Sequence, residues 1–167
     1  MNPEEKKLIL KFATGSLSKE EFLHQYPVDL AHNSPYVSDV LKQALCDKSP
    51  EDVEHALLLG FCFGFPQDCI EVLCKLLNED WHQKHEDITR ILQEKRDPSC
   101  TDSLYRAATT RLLYLEYNDS SALAVKCVWA LGKIGTAAAI GKLKLIAESD
   151  NREDVRKAAA HQLERLA

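Results

Sequence analysis

β-Branched residues are scarce in this chain of 167: Val, Ile and Thr number 21, against 41 Leu and Ala. β-Branched side chains favour strands, whereas Ala and Leu are the two strongest helix formers, so the balance disfavours a sheet. Long apolar runs are missing too. The longest, residues 56–65, contains Gly60 and Gly64 and falls well short of the roughly 20 residues a membrane span needs. The opening residues, Met1 to Lys7, carry no apolar segment behind a basic start, so no signal peptide is expected. No Cys-x-x-Cys pair occurs, which argues against a structural zinc site. There is no low-complexity segment and no linker long enough to divide the chain. At this length a single core can bury roughly 70% of the unfolded surface, so one domain over residues 1–167 needs no disulfide or metal.

What is present is ordinary for a globular protein: 45% hydrophobic and 28% charged residues. The six cysteines, Cys46, Cys62, Cys69, Cys74, Cys100 and Cys127, are irregularly spaced and mostly flanked by apolar residues. That pattern suits free, buried thiols and a cytoplasmic protein. Charge is uneven. Residues 29–87 hold twelve acids and four lysines, a local net of −8, while residues 119–167 hold eight basic and six acidic groups, a net of +2. An acidic body disfavours nucleic acid and would steer a basic partner, although solubility alone also accounts for it.

Helix-start signals recur along the chain. Asn2-Pro3-Glu4-Glu5 and Ser18-Lys19-Glu20-Glu21 pair a cap with acids in the first turn; Ser34-Pro35 and Ser49-Pro50 repeat the device. Further starts are expected at Phe65-Pro66, Thr101-Asp102, Asp119-Ser120, Thr136 and Asp150-Asn151. Between them apolar residues recur at three-and-four spacing: Val37, Val40, Leu41, Leu45; Val53, Leu57, Gly60, Phe61; Ile88, Ile91, Leu92; Leu104, Ala108, Leu112, Leu115. About ten short helices and no strand are predicted.

A repeat closes the chain. Residues 123–131 align with residues 155–163 at an offset of 32, joined by the turn Gly132-Lys133-Ile134-Gly135 and a new helix from Thr136. Leu123, Cys127, Leu131, Ile140, Leu143, Val155, Ala159 and Leu163 are the predicted buried positions. Ala130-Leu131-Gly132-Lys133-Ile134-Gly135, Ala139-Ile140 and Asp154-Val155-Arg156-Lys157-Ala158-Ala159 resemble HEAT-like repeats of the short bacterial type. The resemblance is clear over residues 119–167, weaker over residues 49–118, and absent from residues 1–48, which are expected to cap the stack. It implies an all-α solenoid of short antiparallel helices offering a binding face.

Residues 79–88, from Glu79-Asp80-Trp81-His82 to Asp87-Ile88, followed by Tyr114-Leu115-Glu116-Tyr117, also resemble small bacterial HEAT-like immunity proteins of polymorphic toxin systems. That resemblance implies a non-catalytic protein that binds and neutralises a basic toxin domain. Acids around aromatic anchors give the candidate partner-binding residues: Glu79, Asp80, Trp81, His82, Glu86 and Asp87. Trp81 could equally pack against its own turn. An adaptor of a housekeeping or modification complex is the alternative. HEAT-like iron enzymes carry several His-Glu pairs on facing helices; here His85-Glu86 is the only such dipeptide. His82 and His85 could share a helix face as metal ligands, or could simply belong to the first turn of a helix with Glu86 and Asp87 against its dipole. Gly60-Phe61-Cys62-Phe63-Gly64 lacks the remaining marks of a phosphate loop and reads as a helix end with its phenylalanines packed inward. No catalytic residue, metal or cofactor is assigned.

Overall fold

The structure is a computed structural model that describes residues 1–30, 35–115 and 121–167. Ser34, Glu116, Tyr117, Asp119 and Ser120, named above, lie outside the described residues. Among those described the chain is all-helical, without strands. The ten α-helices are α1 (Pro3–Ala13), α2 (Lys19–Gln25), α3 (Tyr36–Asp47), α4 (Pro50–Phe63), α5 (Cys69–Leu76), α6 (His85–Lys95), α7 (Thr101–Thr109), α8 (Ala122–Ile134), α9 (Ala137–Ser149) and α10 (Glu153–Leu166). Single 3-10 turns lie at Pro98–Cys100 and Leu113–Leu115. Among the described residues no helix is long and apolar enough to cross a membrane.

The capping chemistry sets many of these boundaries. Asn2 Oδ1 accepts from the Glu5 amide at 2.9 Å while Glu5 Oε2 accepts from the Asn2 amide at 2.8 Å. Ser18 and Glu21 repeat this reciprocal pair at the start of α2. Ser49 and Thr136 accept from the third amide of α4 and α9. Two expected starts shift. Helix α5 begins at Cys69 rather than at Pro66, and α10 begins at Glu153, because the Asp150 carboxylate is occupied by Arg152. The stripe predicted from Leu104 to Leu115 is also interrupted: α7 stops at Thr109, ahead of Thr110 in extended conformation, and Leu112 and Leu115 are half-buried beyond it.

The contacts group residues 1–72 and 73–167 into two compact units. In residues 1–72, α4 packs against α3 and α1, and α1 against α2. An aromatic cluster fills this unit: the Phe12 and Phe22 rings stack at 4.6 Å, with Tyr26 and Phe63 stacked on Phe22 at 4.9 and 5.7 Å. Phe61, expected in the α4 core stripe, is exposed. The Phe65 ring occupies the space over Gly60 instead, so close that a Cβ on Gly60 would lie 2.1 Å from its Cε1.

In residues 73–167, α8 is the central element. It packs against α6, α7, α9 and α10, and α9 also packs on α10 and α7. The repeat is legible in this packing: Leu123, Cys127 and Leu131 of α8 and their counterparts Val155 and Ala159 of α10 are buried, as is Leu143 of α9. Ile140 and Leu163, predicted to be buried, are only half-buried.

Candidate functional site: an acidic loop held by two imidazoles

Between α5 and α6 the chain runs without regular structure over residues 77–84, and this stretch carries most of the candidate residues. Such a segment could be pliable, since few backbone bonds define it. Here two histidines define it. His82 is 1% exposed and His85 fully buried. His82 Nε2 donates to the Leu76 carbonyl at 2.9 Å, and its Nδ1 accepts from the Lys84 amide at 3.1 Å. His85 Nε2 donates to the Glu79 carbonyl at 2.7 Å, and its Nδ1 accepts from the Tyr114 hydroxyl at 2.8 Å. All four ring nitrogens are thus used, each ring as one donor and one acceptor, which is the pattern of a neutral imidazole. Asn78 adds a tie, its Nδ2 donating to the Cys74 carbonyl at 3.0 Å.

The environment keeps both rings uncharged. Burial pushes His82 below its ordinary value, against the Leu76 carbonyl and Glu79, which favour the charged form. Burial, then the adjacent His82, pushes His85 down to about 4, with the Glu79 carbonyl and Asp80 opposing. Tyr114 is pushed up to about 12, first by burial and then by the Glu86 carboxylate.

These positions correct the expectation for His82. As a buried ring bonded to backbone on both nitrogens it offers nothing to a partner, because the loop could not close around it otherwise. His82 lies before α6 rather than on its face, and neither ring has a lone pair left for an ion. Among the described residues no group of three or more His, Cys, Asp and Glu side chains is arranged to hold a metal. His85 opens α6 with Glu86 and Asp87 in its first turn, where carboxylates are stabilised by the helix dipole.

The remaining candidates sit at the surface. Asp80 is exposed, and Glu79, Trp81, Glu86 and Asp87 are half-buried. Trp81 Nε1 donates to Glu79 Oε2 at 2.8 Å, and its ring meets His82 edge-on at 5.0 Å. The indole therefore packs on its own turn and is half-buried there. Glu86 is paired with Lys126 of α8, and Asp87 lies 3.9 Å from Arg90. Tyr114 is tied to His85 rather than presented as an anchor. Of the six candidates, then, Glu79, Asp80, Trp81, Glu86 and Asp87 border one loop and the first turn of α6.

Other sequence candidates resolve as structural. The run from Gly60 to Gly64 is the end of α4, whose last amide bond runs from Gly64 to the Gly60 carbonyl at 2.8 Å. Gly64 has φ +99°, a left-handed value that favours glycine. All six cysteines are free; Cys69, Cys74, Cys100 and Cys127 are buried, while Cys46 and Cys62 are exposed. Burial pushes the Cys127 thiol up to about 12, far from a nucleophile's range. One arrangement had no advance signal. Arg152 grips Asp150 through Nε–Oδ1 at 2.9 Å and Nη2–Oδ2 at 2.7 Å, and Nη2 also donates to the Ala108 carbonyl of α7 at 2.6 Å. The spacing Asp-x-Arg is visible in the sequence, but the carbonyl that completes the site is not.

No family model, curated protein or solved structure matches this chain.

Proposed function

We propose that the chain is a non-catalytic protein-binding protein, built on HEAT-like helix pairs, that captures a basic protein partner through the loop at residues 79–87. The observation carrying this reading is the imidazole-held loop. Because His82 and His85 fix its backbone, Glu79, Asp80 and Trp81 are held ready for contact, and little ordering entropy remains to be lost on binding. Acids around a partly exposed indole match the chemistry of an anchor in a charged rim. The packing of α8 against both α6 and α10, with the 32-residue repeat relating α8 to α10, supports the solenoid reading. With the resemblance noted for residues 79–88, the partner is a bacterial toxin domain, and this chain is its immunity protein.

Co-expression tests the proposal. Cells producing a toxin encoded beside this gene survive when the chain is present and die when it carries Asp80→Lys with Glu86→Lys. Survival of the toxin-producing cells without the chain, or equal protection by that double variant, overturns the reading. So does recovery of a stable housekeeping complex with no toxin, which would make the chain an adaptor.

A further inference from the structure

Lined by residues of α6, α8 and α10 runs a groove of about 550 Å³ that the acidic loop does not use. Trp129 of α8 forms one wall and is 48% exposed, an unusual position for so large an apolar ring. Lys133, Lys157, His161 and Arg165 are among its other lining residues, none of which is a carboxylate. Lys157 is paired with Glu153 at 2.6 Å. Lys133 and Arg165 have no ion pair or hydrogen bond to any described residue.

A second observation points to a ligand. Gln162 also lines the groove, is only 8% exposed, and makes no hydrogen bond to the described residues. Its amide nitrogen and oxygen still reach the solvent of the groove, so its donors and acceptor are available to whatever enters. The chain makes room for it. A Cβ on Gly132 would lie 2.3 Å from Gln162 Oε1, so with any other residue there the amide would swing away from α8.

The groove walls are repeat-equivalent. The offset of 32 that relates α8 to α10 places Trp129 opposite His161 and Lys133 opposite Arg165. The same helix face is presented twice, side by side, giving a continuous strip rather than a closed pocket. Across Trp129, toward α6, the charges instead cancel: Glu86 pairs with Lys126 and Asp87 with Arg90. On the groove side Lys133 and Arg165 have no such partners among the described residues.

We infer that this groove is a docking site for an extended, acidic segment of a protein partner. Its carboxylates meet Lys133 and Arg165, an apolar side chain lies on the Trp129 face, and a peptide group satisfies Gln162 as both donor and acceptor. A carboxamide matches the peptide unit in this way because each has one C=O and at least one N–H. The inference goes beyond the acidic loop: it gives the same unit a second surface, of opposite charge preference.

A fluorescein-labelled peptide of Glu-Glu-Leu repeats, titrated with the full chain and followed by fluorescence anisotropy, tests it. A saturable rise is expected. Lys133→Glu with Arg165→Glu should weaken it by roughly ten-fold or more, as should Trp129→Ala. Gln162→Leu, which keeps the volume of the side chain, should weaken it separately. The inference is overturned by the absence of a saturable rise, by undiminished binding in the Lys133/Arg165 double variant, or by equal affinity for a Lys-Lys-Leu peptide. Tighter competition by oligothymidylate would overturn it as well, making the groove a nucleic-acid site.

Discussion

The rings of His82 and His85 lie face to face, 4.4 Å between centroids and 23° between planes, in a site from which solvent is almost excluded. Two imidazoles can stack this closely as neutral rings; charging either would set it against its neighbour and against burial.

Acid should therefore loosen the loop before it unfolds the rest. His85 has a folded value of about 4 against about 6.5 in the unfolded chain, so the unfolded state binds the extra proton between these limits. Stability contributed by the neutral ring is full above pH 6.5 and is lost as pH falls toward 4. The shift corresponds to roughly 3 kcal/mol. Urea midpoints taken from pH 7.5 to 4.5 should fall steeply for the wild type and less so for His85→Gln, which removes the titration. Parallel pH profiles for the two proteins would contradict this.

The acidic loop should control association and its indole dissociation. Charge reversal at Asp80 and Glu86 should slow capture of a basic partner, with the difference shrinking as salt is raised. Trp81→Ala should chiefly raise the dissociation rate, because it removes packed area rather than long-range attraction. Surface plasmon resonance at two ionic strengths separates these effects.

Loss of Arg152 should be among the most damaging single changes near the surface. Its side chain is 10% exposed and that of Asp150 5%, so Arg152→Ala leaves a buried carboxylate with its fork of donors removed. A cost of about 3–5 kcal/mol is expected, and adding Asp150→Asn should recover part of it by removing the stranded charge. Arg152→Lys should also destabilise, since an ammonium cannot make the paired bonds and reach the Ala108 carbonyl together. Chemical denaturation of the four proteins measures this.

Thiol labelling should divide the cysteines by burial. In the native protein Cys46 and Cys62 react with an alkylating reagent, Cys62 the more slowly because burial raises its thiol. Cys69, Cys74, Cys100 and Cys127 should react only after denaturant is added. Mass spectrometry of tryptic peptides assigns each site, and rapid native labelling of Cys127 would be inconsistent with the packing of α8.

Caps and periodicity made the helices legible in advance: Asn2, Ser18, Ser49 and Thr136 each act as the sequence implies, because capping is a matter of neighbours three residues apart. The same holds for the buried faces of α6 and α8. The site was less legible because its stabilising partners are backbone carbonyls. Nothing in the residue names says that His82 meets the Leu76 carbonyl or that His85 meets that of Glu79, and so His82 appeared to be a contact residue. Phe61 and Phe65 compete for the space over Gly60, and only packing decides between them. Trp129, Lys133, His161 and Arg165 did carry a signal, being four apart in pairs on each helix, but one visible only after the two helices are placed side by side.

The 32-residue correspondence between α8 and α10 separates two sets of positions on each helix. Leu123, Cys127, Val155 and Ala159 face inward and are constrained by shape; Trp129, Lys133, His161 and Arg165 face outward and are constrained by nothing in the core. Substitutions in the second set can accumulate without cost to folding, one repeat at a time. Changes along that strip would therefore leave the frame that carries it unaltered.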